Sequence, residues 1–259
     1  MPDWTLEGPG IWRLDTFRVP PGSLDGASVV VDGAEGHHAV DVVRVRGGDV
    51  IRLIDGQGAE ALARVENAAR GGATASLLEV RSYEPSDGIR LTVCQALLKG
   101  RSFDEVVRRC AEIGVAAIVP LVTERAIARL PEGSLECRKS RWEAVALAAV
   151  KQARGVFVPR VGDPVSVNDV VDMIGESELS LVAWEEEGEA GLFQVLERSK
   201  AKRILLIVGP EGGLTRSEVD LLAGAGALAV SAGRRILRAD WAAAAIAAML
   251  SHQLGGLRP

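Results

Sequence analysis

Ile204-Leu205-Leu206-Ile207-Val208-Gly209-Pro210-Glu211-Gly212-Gly213-Leu214-Thr215-Arg216-Ser217-Glu218 is the stretch on which the fold turns. Five consecutive apolar residues read as a buried strand. A Gly-rich loop follows. Thr215 and Glu218 then have the spacing of a capping box, which opens a helix. The three glycines permit positive φ and let a ligand approach the backbone closely. In an open α/β sheet, ligands bind outside the carboxyl ends of the strands, where such a loop lies. The loop is not Gly-x-Gly-x-x-Gly, and no Gly-Lys-Ser/Thr follows it. Dinucleotide and nucleoside-triphosphate binding, and with them a nicotinamide-dependent oxidoreductase, lose their main support.

The same rhythm extends to both sides. Strands are expected over 90–97, 116–122, 179–184, 203–208 and 227–231. Helices are expected over 103–113, 140–153, 215–223 and 240–254. This alternation implies a mostly parallel sheet covered on both faces. Upstream the texture changes. Short Val/Ile/Leu-rich runs at 29–31, 50–54, 61–65 and 73–80 are punctuated by Asp32-Gly33, Gly47-Gly48, Asp55-Gly56 and Gly71-Gly72. They read as strands of a small barrel, with one helix over 35–43. The Asp55-Gly56 turn marks a hairpin. The polar stretch 83–88 is the linker. A second loop, Ser231-Ala232-Gly233-Arg234-Arg235-Ile236-Leu237-Arg238-Ala239-Asp240-Trp241, joins a strand to a helix of small residues. Asp240 reads as that helix's N-cap.

Composition narrows the function. The chain has 259 residues and a net charge of −5. The deficit lies in residues 1–85, with 8 basic against 13 acidic residues, while the remainder is neutral. Within the neutral part, residues 125–160 hold eight basic side chains against three acidic ones, a candidate phosphate-facing surface. Aromatics are only 4% of the chain, so extended stacking of single-stranded bases is not expected. Three cysteines and three histidines are too few for a disulfide framework or a zinc site. No apolar run reaches the roughly 20 residues of a membrane span, and no secretory signal opens the chain. A cytoplasmic protein without metal is expected.

Gly209-Pro210-Glu211-Gly212-Gly213, with Arg234-Arg235-Ile236-Leu237-Arg238, resembles the SPOUT class of RNA methyltransferases. More narrowly it resembles the ribosomal RNA small subunit methyltransferase E family. His37-His38 with Val42-Val43-Arg44-Val45-Arg46-Gly47-Gly48-Asp49 is similar to that family's N-terminal signature. Lys99-Gly100, Glu112-Ile113-Gly114-Val115, Ile118-Val119-Pro120-Leu121, Thr123-Glu124-Arg125, Arg141-Trp142, Gln152 and Val158-Pro159 follow in the family's order. The resemblance spans about residues 17–250. Three places depart from it. Leu237-Arg238-Ala239-Asp240-Trp241 stands where the family has Leu-Arg-Thr-Glu-Thr. Gln152-Ala153-Arg154-Gly155 stands where it has Gln-Ser-Gly-Arg, and Ser102 replaces a basic residue.

The resemblance implies an N-terminal extension over 1–16, a PUA-like β-barrel over 17–84 that assists RNA binding, and a SPOUT α/β trefoil-knot methyltransferase domain over 85–259. It implies S-adenosyl-L-methionine as cofactor, a homodimer, and methylation of uridine N3 in 16S rRNA of the 30S subunit. The alternative is an RNA-binding or ribosome-assembly protein that keeps the fold without catalysis. The cofactor would lie among the loops after Trp184, Val208 and Ser231. Its expected contacts are Trp184, Gly209, Glu211, Gly212, Gly213, Ala232, Gly233, Ile236 and Leu237. Uracil N3 must lose a proton of high pKa, so the chemistry asks for a base or for stabilisation of the uracil anion. Arg238 and Asp240 are the candidates for that work. Arg44, Arg46, Lys99, Arg125 and Arg154 are the candidate RNA contacts. His37 and His38 read as packing or cap residues, Trp142 as core.

Overall fold

The computed structural model describes residues 14–84, 88–126, 135–184, 191–197, 199–233 and 235–255. Most of the expected N-terminal extension, the middle of the linker and Arg234 lie outside the described residues. The chain divides into two compact units.

The first unit is built on a five-stranded sheet of order β1-β3-β4-β5-β2. Its strands are β1 (Thr16–Arg18), β2 (Ser28–Val31), β3 (Val50–Ile54), β4 (Ala59–Ala69) and β5 (Gly72–Ser82). β1 runs parallel to β3, and the other pairings are antiparallel. The β3–β4 hairpin turns at Asp55, whose Oδ1 accepts the amides of Gln57 and Ala59 at 2.7 and 2.9 Å. This side chain mimics a backbone turn, as Asx residues do. The core gathers Phe17, Val29, Val31, Ile51, Leu53 and Val65 from alternating strand positions. The expected helix over 35–43 is two pieces. Helix α1 (Gly33–His37) passes directly into a π-helical stretch, His38–Val43, closed by Arg44 at φ 66°.

Val150–Val158 also belongs to this unit, although its sequence falls within the stretch expected as one domain over 85–259. The reason is polar. Buried Arg52 pairs with Glu60 at 2.6 Å and donates from Nη2 to the carbonyls of Arg154 and Gly155, each at 3.2 Å. The Val158 amide donates to Gly56 O at 2.9 Å.

The second unit is an α/β layer structure, as the alternation implies. Its strands are β6 (Arg90–Ala96), β7 (Ala117–Val122), β8 (Arg160–Val161), β9 (Val165–Ser166), β10 (Leu179–Ala183), β11 (Arg203–Val208) and β12 (Leu228–Val230). The order is β12-β10-β11-β6-β7-β8, with β9 on β7, and every pairing is parallel. Its helices are α2 (Ser102–Ile113), α3 (Leu135–Gln152, whose last turn joins the first unit), α4 (Val167–Glu176), α5 (Leu192–Leu196), α6 (Arg216–Gly224) and α7 (Ala239–Leu254). Strand β10 has β11 on one side and β12 on the other. The chain therefore reverses its winding at β10, which places the carboxyl ends of these three strands side by side at a switch point. One side of the sheet is sealed by Val119, Val170, Val182, Leu205, Ile207 and Leu222. On α2, Phe103 packs against Trp142 at a ring separation of 4.6 Å, so Trp142 is core as expected.

Candidate active site

The described residues that follow β10, β11 and β12 come together at the carboxyl ends of these strands around a cavity of about 1030 Å³. Its wall includes Trp184 after β10; Gly209, Pro210, Glu211 and Gly213 after β11; and Ser231 to Gly233 with Arg235 to Asp240 after β12. Much of that wall is backbone or apolar side chain, a surface suited to a mixed apolar and polar ligand.

The loop after β11 is held at both ends. Gln95 Nε2 donates to Gly209 O at 3.1 Å. The Gly213 amide closes a turn onto Pro210 O at 3.0 Å, and Gly213 sits at φ 70°. A Cβ at Gly209 would press on the Leu214 amide at 3.1 Å, so both glycines are required by the loop's shape. The Lys99 amide donates to Glu211 Oε1 at 3.1 Å. The expected capping box is present: the Thr215 amide donates to Glu218 Oε2 at 2.8 Å, and the Glu218 amide donates to Thr215 Oγ1 at 3.3 Å. Glu218 also accepts the Glu124 amide on Oε1 at 2.8 Å.

The loop after β12 starts from a ladder. The Trp184 amide donates to Val230 O and the Leu192 amide to Ser231 O, both at 3.1 Å. Ser231 Oγ accepts the Gly233 amide at 3.3 Å, and Gly233 takes φ 124°. Trp184 is buried, with the Arg216 guanidinium 5.0 Å from its ring centroid.

The structure brings together Trp184, Gly209, Glu211, Gly213, Ala232, Gly233, Ile236, Leu237, Arg238 and Asp240 around the cavity. Gly212 is not in its wall. It faces the other way, with its carbonyl accepting from Arg125 Nη1 at 3.1 Å. Asp240 is not the N-cap. Helix α7 starts one residue earlier, Arg238 caps it through its backbone alone, and Asp240 lies in the first turn. Its carboxylate is free to make a bidentate pair with Arg238, Nε to Oδ1 at 3.1 Å and Nη2 to Oδ2 at 3.2 Å. Arg238 is 84% exposed and Asp240 only 17%, so the pair presents the guanidinium outward. Arg109 donates to the Asp240 carbonyl at 2.6 Å and stacks 5.0 Å from the Trp241 ring.

The candidate RNA contacts separate into two groups. Arg44, Arg46 and Lys99 are exposed. Arg125, also exposed, and the half-buried Arg154 differ in having their guanidinium groups engaged by partners inside their own units. Arg125 donates to Gly212 O and Leu214 O. Arg154 donates to Leu14 O and to Thr16 Oγ1 at 3.0 Å. Burial of the Arg154 guanidinium, with Arg52 nearby, lowers its pKa. His37 Nδ1 donates to Asp41 Oδ2 over 2.7 Å with its ring 67% exposed, so it neither packs nor caps through its side chain, while His38 lies edge-on to Phe17. Sequence reasoning missed Gln95, Arg109, Ser231 and the second role of Glu218. Only Glu218 had a visible signal, its capping spacing. The others act through tertiary contacts.

Among the described residues no cluster of metal-ligating side chains is found, and no helix is long and apolar enough to cross a membrane. The sequence matches the RNA methyltransferase domain over residues 85–251 and the RNA methyltransferase PUA domain over residues 31–78. It is 35% identical to the ribosomal RNA small subunit methyltransferase E of Mycobacterium bovis, covering 85% of this chain and 84% of that protein. It is 33% identical to the protein of the same name from Synechocystis, covering 85% and 72%. The solved ribosomal RNA small subunit methyltransferase E of Neisseria gonorrhoeae, bound to S-adenosyl methionine, superposes with a TM-score of 0.80 at 27% identity, over 92% of this chain and 97% of that one. With that match in sequence and fold, the chain belongs to the ribosomal RNA small subunit methyltransferase E family of RNA methyltransferases.

Proposed function

We propose that this chain methylates N3 of a uridine in 16S rRNA, using S-adenosylmethionine held in the cavity beside β10, β11 and β12. One observation carries the reading: three loops converge there on a single cavity, and the Arg238–Asp240 pair stands in its wall. The residues fit the cofactor. Trp184, Val208, Leu237 and Ile246 offer apolar surface, and Gly209, Gly213 and Gly233 allow close approach to the backbone. When bound, the cofactor supplies an electrophilic methyl group, so holding the uridine in line with it is much of the task. Arg238 stabilises negative charge developing on a uracil oxygen. Asp240 orients that guanidinium and takes the N3 proton.

Arg44, Arg46 and Lys99 serve as phosphate contacts in this reading. The exposed Ile236 ahead of α7 and the half-exposed Trp241 in its first turn offer apolar surface for a second copy of the chain to cover, which supports a homodimer. Threading of the three cofactor loops into a trefoil knot completes the reading, and three free cysteines favour a reducing cytoplasm. The test is nucleoside analysis of 16S rRNA after incubating unmodified 30S subunits with the protein and S-adenosylmethionine. The reading expects 3-methyluridine. Methylation on another atom or another nucleoside would refute the N3 assignment.

A further inference from the structure

We propose that Arg125 is a positioning residue for the cofactor loop rather than a contact for RNA phosphate. This rests on the reading of the loop after β11 as the S-adenosylmethionine cradle. The reason lies in which peptide groups Arg125 holds. Its Nη1 donates to Gly212 O at 3.1 Å and to Leu214 O at 3.4 Å. The peptide joining Gly212 to Gly213 is then fixed at both poles, because its amide is already bonded to Pro210 O at 3.0 Å. The peptide joining Leu214 to Thr215 is fixed in the same way, with its amide on Glu218 Oε2 at 2.8 Å. The neighbouring amide of Glu124 donates to the other oxygen of Glu218 at 2.8 Å. The segment leaving β7 thus grips the loop leaving β11 at three points.

Glycine makes such a grip necessary. A peptide between two glycines lacks the Cβ atoms that would hinder its rotation, so it reorients readily unless both its polar groups are satisfied. Turning the 212–213 peptide would carry the Gly212 carbonyl away from Arg125 and displace the backbone of Gly213, which lines the cavity. Gly209, Pro210, Glu211 and Gly213 line that cavity, while Arg125, Gly212 and Leu214 do not. Arg125 therefore acts from behind the loop. Both carbonyls are met by the one nitrogen Nη1, whose direction the rigid guanidinium plane fixes, whereas a lysine ammonium ends a flexible stem. A loop already ordered before binding loses less entropy when the cofactor arrives.

The experiment compares the full-length wild type with Arg125→Met and Arg125→Lys, with thermal melts to verify folding. Hydrogen exchange of the Gly213 amide is followed without ligand, S-adenosylmethionine affinity by calorimetry, and 30S binding as a function of salt. The proposal expects at least tenfold faster Gly213 exchange and about tenfold weaker cofactor binding in the Met variant. Arg125→Lys should fall between it and the wild type, and the salt slope should stay unchanged. Unchanged exchange and cofactor affinity, with a salt slope reduced by about one, would overturn the proposal and return Arg125 to the phosphate contacts. A wild type that binds no S-adenosylmethionine would refute the cradle itself. The exchange rates would still decide whether Arg125 holds the loop.

Discussion

At the scale of single residues, Gly213 and Asp240 decide the site. Gly213 takes φ 70°, a conformation that a β-branched residue adopts only at a cost of about 1–3 kcal/mol. Gly213→Val should therefore abolish measurable S-adenosylmethionine binding by calorimetry and leave the first unit's fold unchanged by hydrogen exchange. The need for glycine here was legible in the Gly-Pro-Glu-Gly-Gly run. The role of Asp240 was only half legible. Its place before a run of alanines suggested a cap, but α7 begins at Ala239 and the carboxylate turns to Arg238. Local spacing could not reveal that pairing, because a shift of one residue at a helix start changes which groups a side chain reaches. Asp240→Asn keeps the shape and removes the charge. Single-turnover transfer to 30S subunits should drop about a hundredfold, the scale for losing a general base. The melting temperature should move only slightly. Near-native turnover would remove Asp240 from the chemistry and leave Arg238 with positioning.

Among the elements, long and strongly patterned segments were readable and short ones were not. Strand β11 is found over the residues expected for it, and the capping box of α6 is present. Strands β1, β8 and β9 have three, two and two residues, too few to show any period. Helix α4 carries its own capping box from Ser166 to Asp169, a signal present in the sequence but overlooked. The break between α1 and the π-helical stretch has no sequence signature that we can identify. The capping box of α6 matters most, because it terminates the cofactor loop. Thr215→Ala should cost about 1 kcal/mol, a fall of about 3 °C in the melting temperature of the second unit by calorimetry. An unchanged transition would mean that the Thr215 and Glu124 amides, both donating to Glu218, hold the loop without the threonine hydroxyl.

For the molecule as a whole, the alternation of strand and helix predicted the α/β class, and the turn-rich start predicted a separate β unit. Two features lay beyond any local pattern. One is the return of Val150–Val158 to the first unit, which depends on the buried guanidinium of Arg52 meeting carbonyls about a hundred positions away in the chain. The other is the clustering of three loops from separate strands, which follows only from the strand order. Chemistry at the cysteines is likewise set by the global fold. Burial pushes the Cys94 and Cys110 thiols up to about 12, while Cys137 is exposed. A thiol reagent at pH 8 should find one fast-reacting group per native chain and three after denaturation. Because unfolded thiols ionise near 9 and the buried ones do not, these two side chains withdraw stability as pH rises from about 9 to about 12.

The central claim is that the loops after β10, β11 and β12 together hold S-adenosylmethionine. A crystal structure of the protein grown with that cofactor tests it most directly. Its density should lie against Trp184, Gly209, Gly213, Gly233 and Leu237, with the methyl group directed toward Arg238 and Asp240. Cofactor bound instead at the smaller cavity lined by Gly88, Lys200, Lys202 and His252, or anywhere remote from the Gly-rich loop, would contradict the account.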